Sequence, residues 1–409
     1  MFYQLTKLTV YYQTNWLNNN VLGGVKMLQH LLPLGTRDEF GARARTKQQL
    51  IEVIQAHFKQ RGLAPITTPL LENEAVFDPY QMGNYQFYRL LSNDGRTLVL
   101  RPDLTLPIAR FISATKVPLP QKFCYVGDIF RVSRQLSGSY NQITQAGVEL
   151  IGYASLKAEF ECLTIAHQLS TELIADAVEI ELGDAQFAQR IVTSLTTNRQ
   201  IQAAILQALF DKQIPHYQTL ISAYQQRTIY PFLREWPRLF GQPQIIFKCL
   251  AAAPLPVNVQ PSIQRLKKVV RWMQQTMPDQ AVSLDLSSQA PQKYYTGLTF
   301  RGYFQAGGDY LFSGGRYDQL LSNFQAKSEP AVGIGLNVDL LTTLAARQSQ
   351  TNQTTLLYFK TDQWPAIEKY LAKHSQVTLS LAESLAQAQA EAERFDAQLV
   401  DLTRGTTNE

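Results

Sequence analysis

The chain has 409 residues, 45% hydrophobic and 17% charged, with a net charge of +5. That length supplies one large domain plus one or two smaller ones, and such mild basicity marks no particular nucleic-acid binder. Cys124, Cys162 and Cys249 are scattered and odd in number, the five histidines form no HxH or HExxH pattern, and no apolar run is long enough to span a membrane; a disulfide framework, a metal site and a membrane anchor are therefore not expected, and a reducing cytoplasm is.

Residues 1–26 contain Tyr-Tyr, Asn-Asn-Asn and Gly-Gly, show no helical period, and lack the basic-then-apolar order of a signal peptide. Met27 is followed at once by a coherent domain start, LQHLLPLGTRDEFGARA. Met27 is thus expected as the biological start, with 1–26 a non-native or flexible extension. From Arg43 to Gln60 the apolar positions Leu50, Val53, Ile54, His57 and Phe58 follow a helical spacing, and Gly62 is the stop. His57 on that stripe reads as a core or boundary residue. Ile66–Leu71 is extended around Pro65 and Pro69. Phe87–Leu91 and Thr97–Leu100 read as strands around the turn Asn93-Asp94-Gly95. In LRPDLTLP, Arg101, Asp103 and Thr105 alternate, and an extended backbone points them to one side.

Lys122 to Gly152 reads as strand, polar loop, strand, with Ile129-Phe130-Arg131-Val132 continuing the first strand. Arg131, Gln145 and Glu149 lie close to its apolar runs. A guanidinium, an amide and a carboxylate on one sheet face suit a small zwitterion; an ion-paired sheet face explains this hairpin alone equally well. A helix is predicted over 156–174, a strand over 178–182 and a helix over 185–195. Residues 198–275 hold ten Lys/Arg against Asp211 and Glu235. They are predicted as a mostly helical, basic insertion, its charge meeting RNA or an acidic partner, or simply solvated. Strands follow at 282–286, around Leu298 and Phe300, around Tyr310 and Phe312, and at 331–336. Gly314-Gly315 makes either a close approach to a ligand or a tight turn. A helix is predicted over 338–346, so the large domain is expected to span 27–347. A polar linker at 348–354 leads to a small α/β segment, 355–409, reading strand, helix, strand, helix, strand with a net charge of −3.

Five stretches carry a resemblance over roughly 31–346. They are LPLGTRDEF, LRPDLT, FRVSRQLSGSYNQITQAGVELIG, YYTGLTF, and LFSGGRYDQLL followed by AVGIGL. In this order they resemble the catalytic domain of histidyl-tRNA synthetase, a class II aminoacyl-tRNA synthetase. The resemblance implies an α+β fold: a mainly antiparallel sheet flanked by helices, usually dimeric. It also implies a histidine pocket. Asp103 and Thr105 match residues that hold the α-ammonium, Gln145 a glutamine at the α-amino end, and Glu149 a glutamate that binds the imidazole. Tyr295, with Tyr294 beside it, matches the tyrosine on the other side of the ring. Arg131 matches an arginine that touches the reacting carboxylate and phosphate.

The residues of adenylate chemistry do not match. APQKYY stands where the family has a pattern like RGLDYY, placing Ala290 at an arginine position. Asn337 and Val338 stand where a Glu-Arg pair binds ATP. GSYNQ replaces GRYRQ, putting Ser139 and Asn141 at basic positions. A kept histidine pocket with lost activation chemistry resembles the regulatory subunits of ATP phosphoribosyltransferase, paralogues of the synthetase. That resemblance implies a non-catalytic subunit without a cofactor, forming a dimer within a hetero-oligomer with a short catalytic subunit. The resemblance further implies that such a complex condenses ATP with phosphoribosyl pyrophosphate and that bound L-histidine would feed back on it. The alternatives are a histidyl-tRNA synthetase or a synthetase-like tRNA sensor; nucleic acid is a poor match to the acidic tail.

Overall fold

The computed structural model describes residues 32–78, 86–132, 140–174, 177–304, 309–346, 355–374 and 377–404. The N-terminal extension, the 348–354 linker and Ser139 lie outside them. The chain divides into two compact units, Met1–Thr342 and Thr343–Glu409.

The first unit opens with α1 (Gly41–Gln60), which buries Leu50, Ile54 and Phe58 at the predicted four-residue spacing. Then come β1 (Ala64–Pro65), β2 (Leu71–Asn73), β3 (Arg89–Leu91), β4 (Thr97–Leu100) and α2 (Thr105–Thr115). The hairpin is β5 (Gln121–Phe130) and β6 (Gln142–Ile151), followed by α3 (Lys157–Leu173), β7 (Val178–Asp184) and α4 (Phe187–Leu195). The basic stretch forms α5 (Arg199–Phe210), α6 (Ile214–Ile221), α7 (Tyr230–Glu235), β8 (Phe240–Gly241), α8 (Pro243–Ala252) and α9 (Gln260–Thr276). The series ends with β9 (Ala281–Asp285), β10 (Leu298–Phe304), β11 (Phe312–Arg316) and β12 (Ala331–Asn337), and the division between the units falls within α10 (Val338–Ala346).

Nine strands form one sheet in the order β1-β5-β6-β12-β11-β10-β7-β9-β8. The run from β5 to β7 is antiparallel, while the β1–β5 and β7–β9 pairs are parallel. The basic stretch contributes to this layer, since β8 pairs with β9 and α9 packs against β7 and β10. Antiparallel partners share a face, so the register sorts the side chains. Ala146, Val148 and Leu150 on β6, with Val332, Ile334 and Leu336 on β12, face one side and are buried. There Arg316, at the end of β11, forms a bidentate pair with Glu159 of α3 at 2.6 Å through both contacts. Both groups are buried, a geometry in which losing one partner costs about 3–5 kcal/mol. The opposite side carries Gln145, Gly147 and Glu149, paired along β12 with Asn337, Gly335 and Gly333. On this side α2 packs with Phe123, Tyr125, Ile129, Tyr294 and Tyr317 into a second core.

Two local expectations change. Arg101 does not join Asp103 and Thr105: its guanidinium turns to the carbonyl oxygens of Thr68, Pro69 and Asp128. The extended backbone ends at this point, because Asp103 accepts the Leu106 N–H and α2 begins at Thr105. Likewise β5 stops at Phe130; the Arg131 N–H bonds the Asn141 carbonyl, and Val132 forms an isolated bridge with Gln86.

In the second unit β13 (Thr355–Tyr358), α11 (Trp364–Leu371), β14 (Val377–Leu379), α12 (Leu385–Arg394) and β15 (Gln398–Asp401) alternate as predicted. The three strands are parallel in the order β14-β13-β15, around Leu357, Phe359, Ile367 and Leu402. No described helix is long and apolar enough to cross a membrane.

Candidate ligand pocket on the glycine-lined sheet face

The alternation in QAGVEL and AVGIGL builds the pocket floor. Within 145–150 and 331–336 every second residue faces the side of α3 and is apolar; the residues between are Gln145, Gly147, Glu149, Ala331, Gly333 and Gly335. A Cβ on Gly333 would collide with the Glu149 carboxylate, and one on Gly335 with the Gln145 amide. The glycines therefore leave room for a polar pair to lie flat along the sheet.

Above this floor is a cavity of about 300 Å³, at the small end of ligand pockets. Asp103, Thr105, Arg131, Gln145, Glu149, Tyr294 and Tyr295 all line it. Four separate chain segments thus bring together all seven residues singled out from sequence. The Thr105 Oγ1–H donates to Glu149 Oε1 at 2.8 Å, and the Tyr317 hydroxyl donates to Oε2. Gln145 Nε2 donates to the Tyr125 hydroxyl at 3.2 Å. Arg131 Nε donates to the Pro102 carbonyl at 2.8 Å, which fixes its guanidinium beside Asp103. The Tyr294, Tyr295 and Tyr317 rings form a tilted cluster with centroids 5.0 to 6.4 Å apart.

Burial sets the electrostatics. It pushes Glu149 up to about 8, against the Tyr317 and Thr105 hydroxyls, which favour the ionised form. Burial also raises Asp103, opposed by the Leu106 N–H and the Arg131 charge. It raises Tyr125, Tyr294, Tyr295 and Tyr317 as well, and the neighbouring acids add to the rise.

Sequence reasoning missed Tyr125 and Tyr317. Tyr125 carries a signal in the pattern: it alternates with Phe123 and Gly127 and pairs opposite Gly147, the one place on β6 without a side chain. Tyr317 follows Arg316, and the Glu159 ion pair anchors that turn so that the next residue reaches Glu149. Gly314 has a packing role, lying under the Phe300 ring, and Gly315 adjoins Tyr295.

The positions expected to handle ATP are built differently. Ala290 lies outside this cavity, in a small recess with Glu181, Asp285 and Arg301. Asn337 Oδ1 accepts the Leu340 N–H and caps α10, and Val338 is fully buried. Asn141 Nδ2 donates to the Leu34 carbonyl and the Tyr88 hydroxyl. Among the described residues no cluster of three or more His, Cys, Asp or Glu side chains could hold a metal ion.

A family model for histidyl-tRNA synthetase matches residues 35–341. An ATP phosphoribosyltransferase regulatory subunit of Lactiplantibacillus plantarum is 75% identical over 383 residues, 94% of this chain and all of the relative. One from Listeria monocytogenes is 34% identical over 87% of this chain and 91% of its own length. Among solved structures, an ATP phosphoribosyltransferase regulatory subunit/histidyl-tRNA synthetase from Bacillus halodurans superposes with a TM-score of 0.79 at 24% identity. That alignment covers 91% of this chain and 98% of the other. Histidyl-tRNA synthetase from Nostoc superposes with a TM-score of 0.74 at 17% identity, covering 90% of each. Both are similar in fold.

Proposed function

The chain belongs to the histidyl-tRNA synthetase-like family of ATP phosphoribosyltransferase regulatory subunits, and from that premise we propose that it is the non-catalytic histidine sensor of such an enzyme. It binds L-histidine in the glycine-floored cavity and passes feedback inhibition to a short catalytic subunit whose activity it supports. The complex is cytoplasmic, and the chain pairs as a dimer within it. The observation that carries this reading is the set of buried polar groups converging on one small cavity.

Histidine offers an ammonium, a carboxylate and a ring with two nitrogens. Asp103, Thr105 and Gln145 suit the ammonium end, Arg131 the carboxylate, and Glu149 with Tyr295 the ring. A ligand with an apolar side chain would leave the buried Glu149 carboxyl without a partner from the ligand, the strongest form of discrimination a pocket has. Ala290 and Val338 carry no charge of their own with which to stabilise adenylate formation, which supports a role in recognition. Inhibition then requires that histidine binding and substrate use by the partner be coupled, typically by about 1–3 kcal/mol, and reciprocally where the coupling acts on affinity.

The test is co-purification with the short phosphoribosyltransferase subunit, followed by assay of ATP and phosphoribosyl pyrophosphate condensation. A stable complex inhibited by histidine is expected. Failure to associate, or inhibition unaffected by changes at Glu149, would refute the proposal.

A further inference from the structure

Glu149 is a fully enclosed carboxyl: burial holds its proton in the empty cavity, while the hydroxyls that reach it favour the ionised form. The Thr105 hydroxyl on α2 and the Tyr317 hydroxyl after β11 donate to one oxygen each, and the Tyr125 hydroxyl also bonds the group. Donors on both oxygens favour a carboxylate. Yet among the described residues no Lys, Arg or His forms an ion pair with it; the ion pairs of this unit serve other acids, including Glu72, Glu159 and Asp339.

The titratable groups around it are few. Asp103 approaches from the turn before α2 and Arg131 from the end of β5. Tyr125 comes from β5, and Tyr294 and Tyr295 from the segment before β10. Cys162 of α3 senses its charge from the other side of the sheet. Gly333 of β12 lies against the carboxylate without a side chain. Burial raises Cys162 and all four tyrosines, so they stay neutral. The Arg131 guanidinium in the cavity is held at the Pro102 carbonyl beside Asp103, so what the Glu149 carboxylate lacks among the described residues is an ion-pair partner of its own.

We propose that the cavity takes histidine as an imidazolium, the ring receiving its extra proton from Glu149. This rests on the histidine-sensor reading above. In the step, the O–H bond of the Glu149 carboxyl breaks and an N–H bond forms on the neutral ring. The carboxylate keeps the Thr105 and Tyr317 hydrogen bonds and gains a charge-assisted one from the ring. The second ring N–H is donated to the Tyr295 hydroxyl, which can act as an acceptor. No proton is exchanged with solvent while the empty pocket is protonated and the free ring is neutral.

That balance fixes a pH signature. Free imidazole titrates near ~6.5, and burial places Glu149 at about 8. Between these values affinity is flat. Above about 8 the empty pocket has lost its proton and binding must take one up, so affinity falls by up to about tenfold per pH unit. Below the ring's own value, affinity falls in the same way because binding releases a proton.

The experiment is ¹⁵N NMR of ring-labelled L-histidine with the full chain, together with affinity measured from pH 5.5 to 9.5. Both ring nitrogens are expected to show imidazolium shifts at pH 7.5, where the free ligand is neutral, and Glu149→Gln returns the bound ring to the neutral form. A neutral-ring spectrum for the wild-type complex, or an affinity that rises above pH 8, overturns the proton transfer while leaving the sensor intact. Absence of saturable histidine binding overturns the sensor reading itself, and this proposal with it.

Discussion

Around one sheet, the residues that line the cavity and those at the positions expected to handle a nucleotide are built to opposite specifications. In the first region Asp103, Thr105, Gln145, Glu149 and Tyr295 converge on one cavity, and buried tyrosines hold the key carboxyl. In the second, Asn337 caps a helix, Val338 fills core space, Asn141 ties the hairpin to Leu34 and Tyr88, and Ala290 sits in a separate recess. In the proposed function, recognition depends on buried groups whose partners are fixed by packing. Nucleotide chemistry depends on preorganised charge, whereas Asn337, Val338 and Asn141 make structural contacts. The proposed function thus separates binding from activation on a single scaffold, because the two draw on different residues of it.

The sharpest way to break this comparison is Glu149→Gln. Histidine affinity is expected to fall about 100- to 1,000-fold, the ~3–4 kcal/mol lost when one side of a buried charge pair is removed. Calorimetric titration measures it, and a change below tenfold would place the ligand elsewhere. The same variant tests the electrostatics of the empty protein. Glu149 binds its proton more tightly folded, at about 8, than it would unfolded near the ordinary 4.5. Its contribution to stability is therefore fully present below the unfolded value and declines as pH rises toward 8, at up to ~1.4 kcal/mol per pH unit. Denaturation from pH 5 to 9 should show this slope in the wild type and a shallower one in Glu149→Gln. Glu39 has the opposite sign. Burial alone would raise it, but Lys47 and Arg37 hold it at about 2, so its contribution is lost as pH falls through the acid range.

The floor provides a smaller effect. In Gly333→Ala the new methyl group meets the Glu149 carboxylate and pushes it off the sheet. Histidine binding should weaken about tenfold, roughly one hydrogen bond's worth of geometry, while the protein stays folded. An unchanged affinity would mean that the glycines serve packing alone.

Much of this was legible in the sequence, for identifiable reasons. The hairpin, the 355–404 alternation and the α1 stripe follow from periodicity, which depends on local geometry. The seven cavity residues were accessible because the ordered stretches carry a family resemblance; spacing alone left Arg131, Gln145 and Glu149 open to a purely structural explanation. Tyr317 and the turning away of Arg101 were not legible. Each depends on a long-range partner, Glu159 holding the turn before Tyr317, and the Thr68 and Asp128 carbonyls capturing Arg101. Such partners are more than 25 residues away in sequence, as the separations of 157 and 27 for Glu159–Arg316 and Asp128–Arg101 show.

The smallest expected effect comes from restoring a cation to the second region. Ala290→Arg places a guanidinium in a recess already lined by Glu181 and Asp285, beside Arg301. Burial and the Asp285 charge raise Glu181 to about 6, so a new cation there is drawn to these acids rather than toward the cavity. Histidine affinity should change by about twofold or less, since the recess and the cavity share none of the groups that hold Glu149. Histidine-dependent ATP–pyrophosphate exchange should stay at background, because Asn337, Val338 and Asn141 still supply no charge to a nucleotide. Measurable exchange in this single variant would show that one cation, and not a rebuilt region, separates the sensor from an enzyme.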